Sequence, residues 1–262
     1  AYGIPVAQTA ALAAEIAQAG KTGNELLASV EQTTKLATLG EIDRQDAMKA
    51  TLSIQSTFNQ NTQELSDSIN FLNSVENATN VSLQDLVTGI PKAGPVVKAL
   101  GGDIKDLSLM MVAMKEGGIP ASEAANAIKS SLASLINPTE KVTEKMKTFG
   151  IDLVSIVDKN AGQLMPTLME FRGELNKLDD LSRQRILEEL FGKFQFARVN
   201  ALFNNLGRAG SQTVQVMELM GLSTAELASI ADKELKTMAE SASGRFKRLW
   251  ATVQGDLAVA GQ

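Results

Sequence analysis

The groups that could do chemistry are few, and their spacing argues against catalysis. Two carboxylate pairs occur, Asp179 with Asp180 and Glu188 with Glu189. Glycosidic cleavage needs two carboxyls facing each other across a cleft. Adjacent acids on a helix diverge instead, so these pairs read as solvated charge. Histidine and cysteine are both absent. That removes the commonest general base, the commonest transition-metal ligand, thiolate metal sites and disulfides. No glycine-rich phosphate loop with its lysine occurs, and no Gly-x-Ser-x-Gly elbow. The sequence predicts no enzyme, no cofactor and no metal site.

The other clusters suit contact. Arg245, Lys247, Arg248 and Trp250 put three cations beside the single tryptophan. They read first as a helix end with snorkelling bases, and second as a surface for an acidic partner, a phospholipid face or DNA. Met110, Met111 and Met114, with Leu107 and Leu109, make an apolar stretch expected in the core. The second reading is a seam between copies, because methionine adapts to irregular partners. Phe191, Phe194 and Phe196, near Phe203, gather much of the aromatic content and are expected to anchor the C-terminal half as core first and interface second.

These residues must be positioned by helices. Hydrophobic residues make up 44% of the 262 positions but aromatics only 4%, so the core has to be aliphatic. Helix starts recur, as a short polar residue followed three positions later by an acid. Thr22 with Glu25, Asp43 with Asp46, Asn61 with Glu64, Ser82 with Asp85, Asp103 with Asp106 and Ser223 with Glu226 fit this pattern. Asn137, Pro138 and Glu140 predict a further start, with proline in the first helical position. Glycines at 20, 40, 101–102, 117–118, 150, 207 and 221 mark the stops. The rhythm of roughly twenty residues gives helices of ~15 residues, about 22 Å each. The fold class is therefore all-α: an irregular array or bundle of short amphipathic helices, elongated and self-associating. Two exceptions are expected. Residues 151–157, Ile-Asp-Leu-Val-Ser-Ile-Val, read as a short extended segment. Gly89, Pro91, Gly94 and Pro95 should kink or split their helix.

Charge and hydropathy narrow the partners. The net charge of -5 argues against specific nucleic-acid binding. It is uneven: residues 1–80 carry nine acids against four bases, and residues 181–262 carry ten bases against eight acids. No run approaches the ~20 apolar residues of a membrane span. The first residue is Ala, which fits an internal segment of a longer chain.

A collinear series of short stretches carries a resemblance. It runs Asn77-Ala-Thr-Asn-Val-Ser-Leu-Gln-Asp-Leu, Pro95-Val-Val-Lys-Ala-Leu-Gly and Leu109-Met-Met-Val-Ala-Met-Lys-Glu-Gly-Gly-Ile. Ser122-Glu-Ala, Ile128-Lys-Ser-Ser-Leu, Asn137-Pro-Thr, Phe149-Gly-Ile-Asp and Leu187-Glu-Glu-Leu-Phe-Gly follow, and Ser243-Gly-Arg-Phe-Lys-Arg-Leu-Trp resembles the helix beyond them. In this order they resemble the phage tail tape measure proteins, also called phage minor tail proteins. The resemblance implies an N-terminal helical segment over 1–76, a tape-measure-like helical core over 77–207 and C-terminal helices over 208–262. It implies a non-catalytic part of the virion tail, in the lumen or at the tip, made in the host cytoplasm. Such a protein scaffolds the tail tube, sets its length and leaves during genome ejection. The implied partners are copies of itself, with a trimer expected, the tail tube protein, tip proteins, tail assembly chaperones, and the host membrane on ejection. The competing reading is a helical membrane-perturbing or pore-forming protein, which would need a hidden hairpin of ~40 apolar and small residues.

Overall fold

The computed structural model describes residues 6–241, and among these every regular element is a helix. In order they are α1 (Val6–Gln18), α2 (Gly23–Leu39), α3 (Arg44–Phe58), α4 (Thr62–Ala78), α5 (Leu83–Ala99), α6 (Ile104–Glu116) and α7 (Ala121–Ile136). The shorter helices follow: α8 (Glu140–Thr148), α9 (Leu153–Lys159), α10 (Leu164–Leu175), α11 (Asp180–Phe191), α12 (Phe196–Asn205) and α13 (Gln212–Met220). A last helix, α14, covers 224–241.

Local chemistry explains most of the starts. The Asn61 side chain accepts from the backbone N–H groups of Gln63 and Glu64, and Glu64 returns the bond to the Asn61 N–H. Asp103 and Asp106 close the same reciprocal box on α6. Ser223 and Glu226 do so at the head of α14. Each such cap satisfies donors that the first turn would leave bare, at about 1 kcal/mol. Thr22 precedes α2 as expected, but its side chain makes no capping bond.

Helix α6 lies at the centre. All eight residues from Leu107 to Met114 are buried. A helix apolar all round must be covered all round, and α4, α5, α7, α12 and α13 pack on it. Helix α5 in turn packs on α3, α4, α6 and α7. One core runs from Leu36 of α2 to Ala231 of α14, with residues from each of the three sequence segments. A smaller cluster of Leu12, Ile16 and Val30 holds α1 to α2.

Three expectations are corrected. Residues 151–157 are not extended: α9 spans Leu153–Lys159, and Asp152 accepts from the Ser155 N–H to start it. Leu153 and Ile156 then share the buried face, three residues apart. Packing on that face outweighs the β-branched preference. The proline-containing segment is not split: it stays one helical element, with Pro91 and Pro95 four residues apart on the exposed side. The companion glycines face inward. A Cβ on Gly89 would sit 3.0 Å from Met111 Sδ, and one on Gly94 would sit 3.2 Å from the Thr57 methyl. Finally, α8 starts later than predicted. Thr139, not Asn137, caps it, and Pro138 stays outside the helix.

Among the described glycines, the tightest backbone approach joins the α5–α6 turn to the α9–α10 turn. Gly101 has φ +76°, and a Cβ there would lie 1.9 Å from the Gly162 carbonyl oxygen. Gly210 has a similar φ of +79° but open surroundings. Gly210→Ala should therefore cost only the left-handed strain, about 1–2 kcal/mol. Gly101→Ala must also push two turns apart and should cost roughly 3 kcal/mol or more. Urea unfolding of the two variants checks this; equal losses would contradict the close approach.

Candidate functional site

Packing sorts the sequence candidates into core and surface. Met110, Met111 and Met114 are fully buried on α6, within the chain's own core. Phe191 is buried as well: its ring stacks on Phe203 with centroids 6.5 Å apart, and Phe171 meets Phe203 edge-on at 5.4 Å. Phe194 lies on the other side of the α11 terminus. Gly192 ends that helix with φ +81°, and the chain then crosses to α12, leaving Phe194 90% exposed. Among the described residues no large apolar side chain is more open to water. Phe196 is half-buried and lines a small polar cavity with Asp180, Arg183 and Asn204. Arg245, Lys247, Arg248 and Trp250 lie outside the described residues.

The carboxylate pairs serve structure. Asp179 accepts from the Ser182 N–H at the start of α11. Glu189 meets Lys145 at 2.5 Å and Lys141 at 3.3 Å, tying α11 to α8, and these lysines hold its carboxyl below the usual range. Among the described residues no group of three or more carboxylates could hold a metal ion. No described helix is long and apolar enough to cross a membrane.

Two concave features had no signal in the residue pattern, because each draws on helices far apart in sequence. The first is polar. On α2, Gln32, Thr33, Thr34 and Lys35 are all buried, where amphipathic spacing alone would expose part of the set. The Lys35 Nζ donates to Asn70 Oδ1 on α4 at 2.6 Å. Burial pulls its ammonium below the usual lysine range, opposed by the charges of Asp232, Glu31 and Asp67. On the adjoining stretch, Asn73 and Asn77 both donate to Glu234 of α14, at 2.8 and 2.7 Å. Hydrogen bonds and partly screened charges thus help seat α14, along with buried Leu227 and Ala231.

The second feature is an apolar groove of about 240 Å³ between the ends of α5, α7, α9 and α10. Leu100, Leu135, Ile136, Val157 and Leu164 line it, with Asn160 at one side. Apolar grooves lined this way suit recognition by an apolar side chain rather than a reaction. The described residues therefore offer an exposed aromatic, an apolar groove and a polar seam.

Comparison with known proteins agrees with a structural part. A family model described as phage-related minor tail protein matches residues 1–192. No solved structure matches the chain.

One titration is open to test. Burial pushes the Asp106 carboxyl, at the head of α6, up to about 6; the Asp103 charge adds to this and the Asp103 N–H opposes it. Above the ordinary value of 3.8 the unfolded chain releases this proton first, so the group loses stability as pH rises, until the folded form also ionises near 6. Asp106→Asn keeps an acceptor for the cap and removes the titration. Its stability relative to the parent chain should climb between about pH 4 and 6 and stay level above. Denaturant unfolding across that range reads it; an offset that never changes with pH would contradict it.

Proposed function

The chain belongs to the phage-related minor tail protein family, and from that premise we propose that it is a segment of a tail tape measure protein. Family membership carries a structural role in the virion tail. The finer reading is that this segment helps nucleate and scaffold the tail tube, that the protein it belongs to sets tail length, and that it leaves during ejection. The observation that carries it is the family match over residues 1–192, on a chain whose described residues fold as helices around one core.

Size supports a place near an end of the tail. A compact body of 262 residues has a radius of gyration of ~18 Å, hence a diameter of ~47 Å. Drawn out as a single helix, the same residues would reach ~390 Å. Several such bodies cannot sit abreast in a narrow lumen, so the folded unit belongs at the wider tip. The ruler function then falls to extended helix in the rest of the polypeptide. There the unit meets tip proteins, the first rings of tail tube protein and further copies of itself, as a trimer. Tail assembly chaperones cover it before incorporation. The absence of cysteine fits later passage through a channel, since no cross-link has to be undone.

A helical insert placed in the gene product outside the folded body should lengthen the tail by about 1.5 Å per added residue. Negative-stain microscopy of virions measures this. Tails of unchanged length would contradict the tape-measure reading while leaving the tail role standing.

A further inference from the structure

We propose that α14 exchanges between copies of this chain: the joint between α13 and α14 straightens, and α14 of one copy takes the seat on α2 and α4 of another. The inference does not rest on the tape-measure reading.

In the structure the two helices form a hairpin against α4. At the start of α13, the Gln212 side chain accepts from the Asn80 N–H, just beyond α4. Near the middle of α14, Glu234 accepts from Asn77, on the last turn of α4. The chain therefore leaves one end of α4 and returns to it. The reversal takes three residues, Gly221, Leu222 and Ser223.

The residue pattern ignores this reversal. Wound as one helix at about 100° per residue, Thr213, Val216, Met220, Leu227, Ala231 and Glu234 fall within about 60° of one another. Of these, Thr213, Val216, Leu227 and Ala231 are buried, and Met220 and Glu234 are half-buried. A hairpin asks each helix for an inward face, but not that the two faces stay in phase across the turn. Nor does the backbone enforce the bend. Residues 211–241 contain no proline, none has a positive φ, and Gly221 already has right-handed helical angles, φ -83° and ψ -12°. The bend is held by the capping box of Ser223 and Glu226. A continuous helix would replace that box with backbone bonds. Residues 212–241 would then make one helix about 45 Å long.

The seat on α2 and α4 is readily vacated. Beneath α14, Gln32 Oε1 and Asn73 Oδ1 are buried without a hydrogen-bond partner. Water reaches both once the helix lifts, which offsets part of the cost of opening. Leu227 and Ala231, the only buried residues of α14, lose their cover at the same moment. The surface that restores it is the same seat on another copy, with Asn73 and Asn77 donating to Glu234. The occupant is identified because the seat already holds this helix. Each copy gives one α14 and takes one, so exchange closes into a pair or a ring. The bent and exchanged forms differ mainly at the joint, and exchange grows with concentration.

The chain has no cysteine, so introduced thiols are unique. Gln63 of α4 and Ala225 of α14 are both exposed and line one cavity of about 330 Å³. Full-length chains carrying Gln63→Cys are mixed at high concentration with chains carrying Ala225→Cys, then diluted and treated with a short bismaleimide. The expected result is dimers linked 63 to 225, in excess of chance pairing, with a yield that grows with the concentration of mixing. Thr224→Pro in both chains should lower the yield by roughly tenfold or more. Proline suits the first residue of α14, but inside a continuous helix it would strike the Met220 carbonyl. Ser223→Ala removes the cap and should raise the yield roughly tenfold. A chain carrying both cysteines, kept dilute, should link within itself in every background, showing α14 seated. Absence of dimers linked 63 to 225, a statistical mixture of the three pairings, a yield unmoved by Thr224→Pro or not raised by Ser223→Ala, or loss of the internal link in the Thr224→Pro chain would each overturn the proposal.

Discussion

Helix α6 has no water-facing side between Leu107 and Met114, so the elements around it are bound together by the need to cover it. Each fully buried leucine or methionine there withholds about 1.5–3 kcal/mol of apolar surface from water. Such a helix cannot exist bare, and its covering comes from α4 and α5 before it in the sequence and from α7, α12 and α13 after it. That single requirement folds the chain back on itself. It also assigns the methionines: flexible thioethers fill irregular gaps, as where Met111 meets the bare backbone of Gly89.

Around this centre the attachment grows more polar toward the outside. Glu116, at the end of α6, accepts from Ser211 Oγ, the Gln212 N–H and Arg208, and so sits at the head of α13, where a helix favours an anion. Farther out, α14 is held to α4 through Glu234, near a buried lysine on α2. Glu76, beside the start of α5, has its carboxyl pushed up by burial while the Leu83 N–H works the other way. Polar joints of this sort fix register but tolerate separation better than a greasy one, since their groups find water when exposed.

The rhythm of the elements was readable because it rests on local chemistry. Asn61 with Glu64, Asp103 with Asp106 and Ser223 with Glu226 are each a start that three or four residues specify. What failed depended on partners far along the chain. The run at 151–157 has strand-like residues, yet Leu153 and Ile156 find a core face three residues apart. Pro91 and Pro95 look disruptive until both fall on the exposed side. The Phe191 and Phe194 pair shows the same limit for the surface: three positions apart, they would share a helical face, but Gly192 ends α11 between them and sends one ring inward and the other out. The apolar groove, built from the ends of four helices, had no contiguous signature.

The central claim is that the methionine-rich helix is covered by its own chain. Hydrogen exchange of the α6 amides, followed by mass spectrometry over a wide range of protein concentration, tests this most directly. The account predicts that residues 104–116 exchange among the slowest in the molecule and at a rate independent of concentration. Protection of α6 that appears only as the protein is concentrated would mean that neighbouring copies supply the cover, and would contradict it.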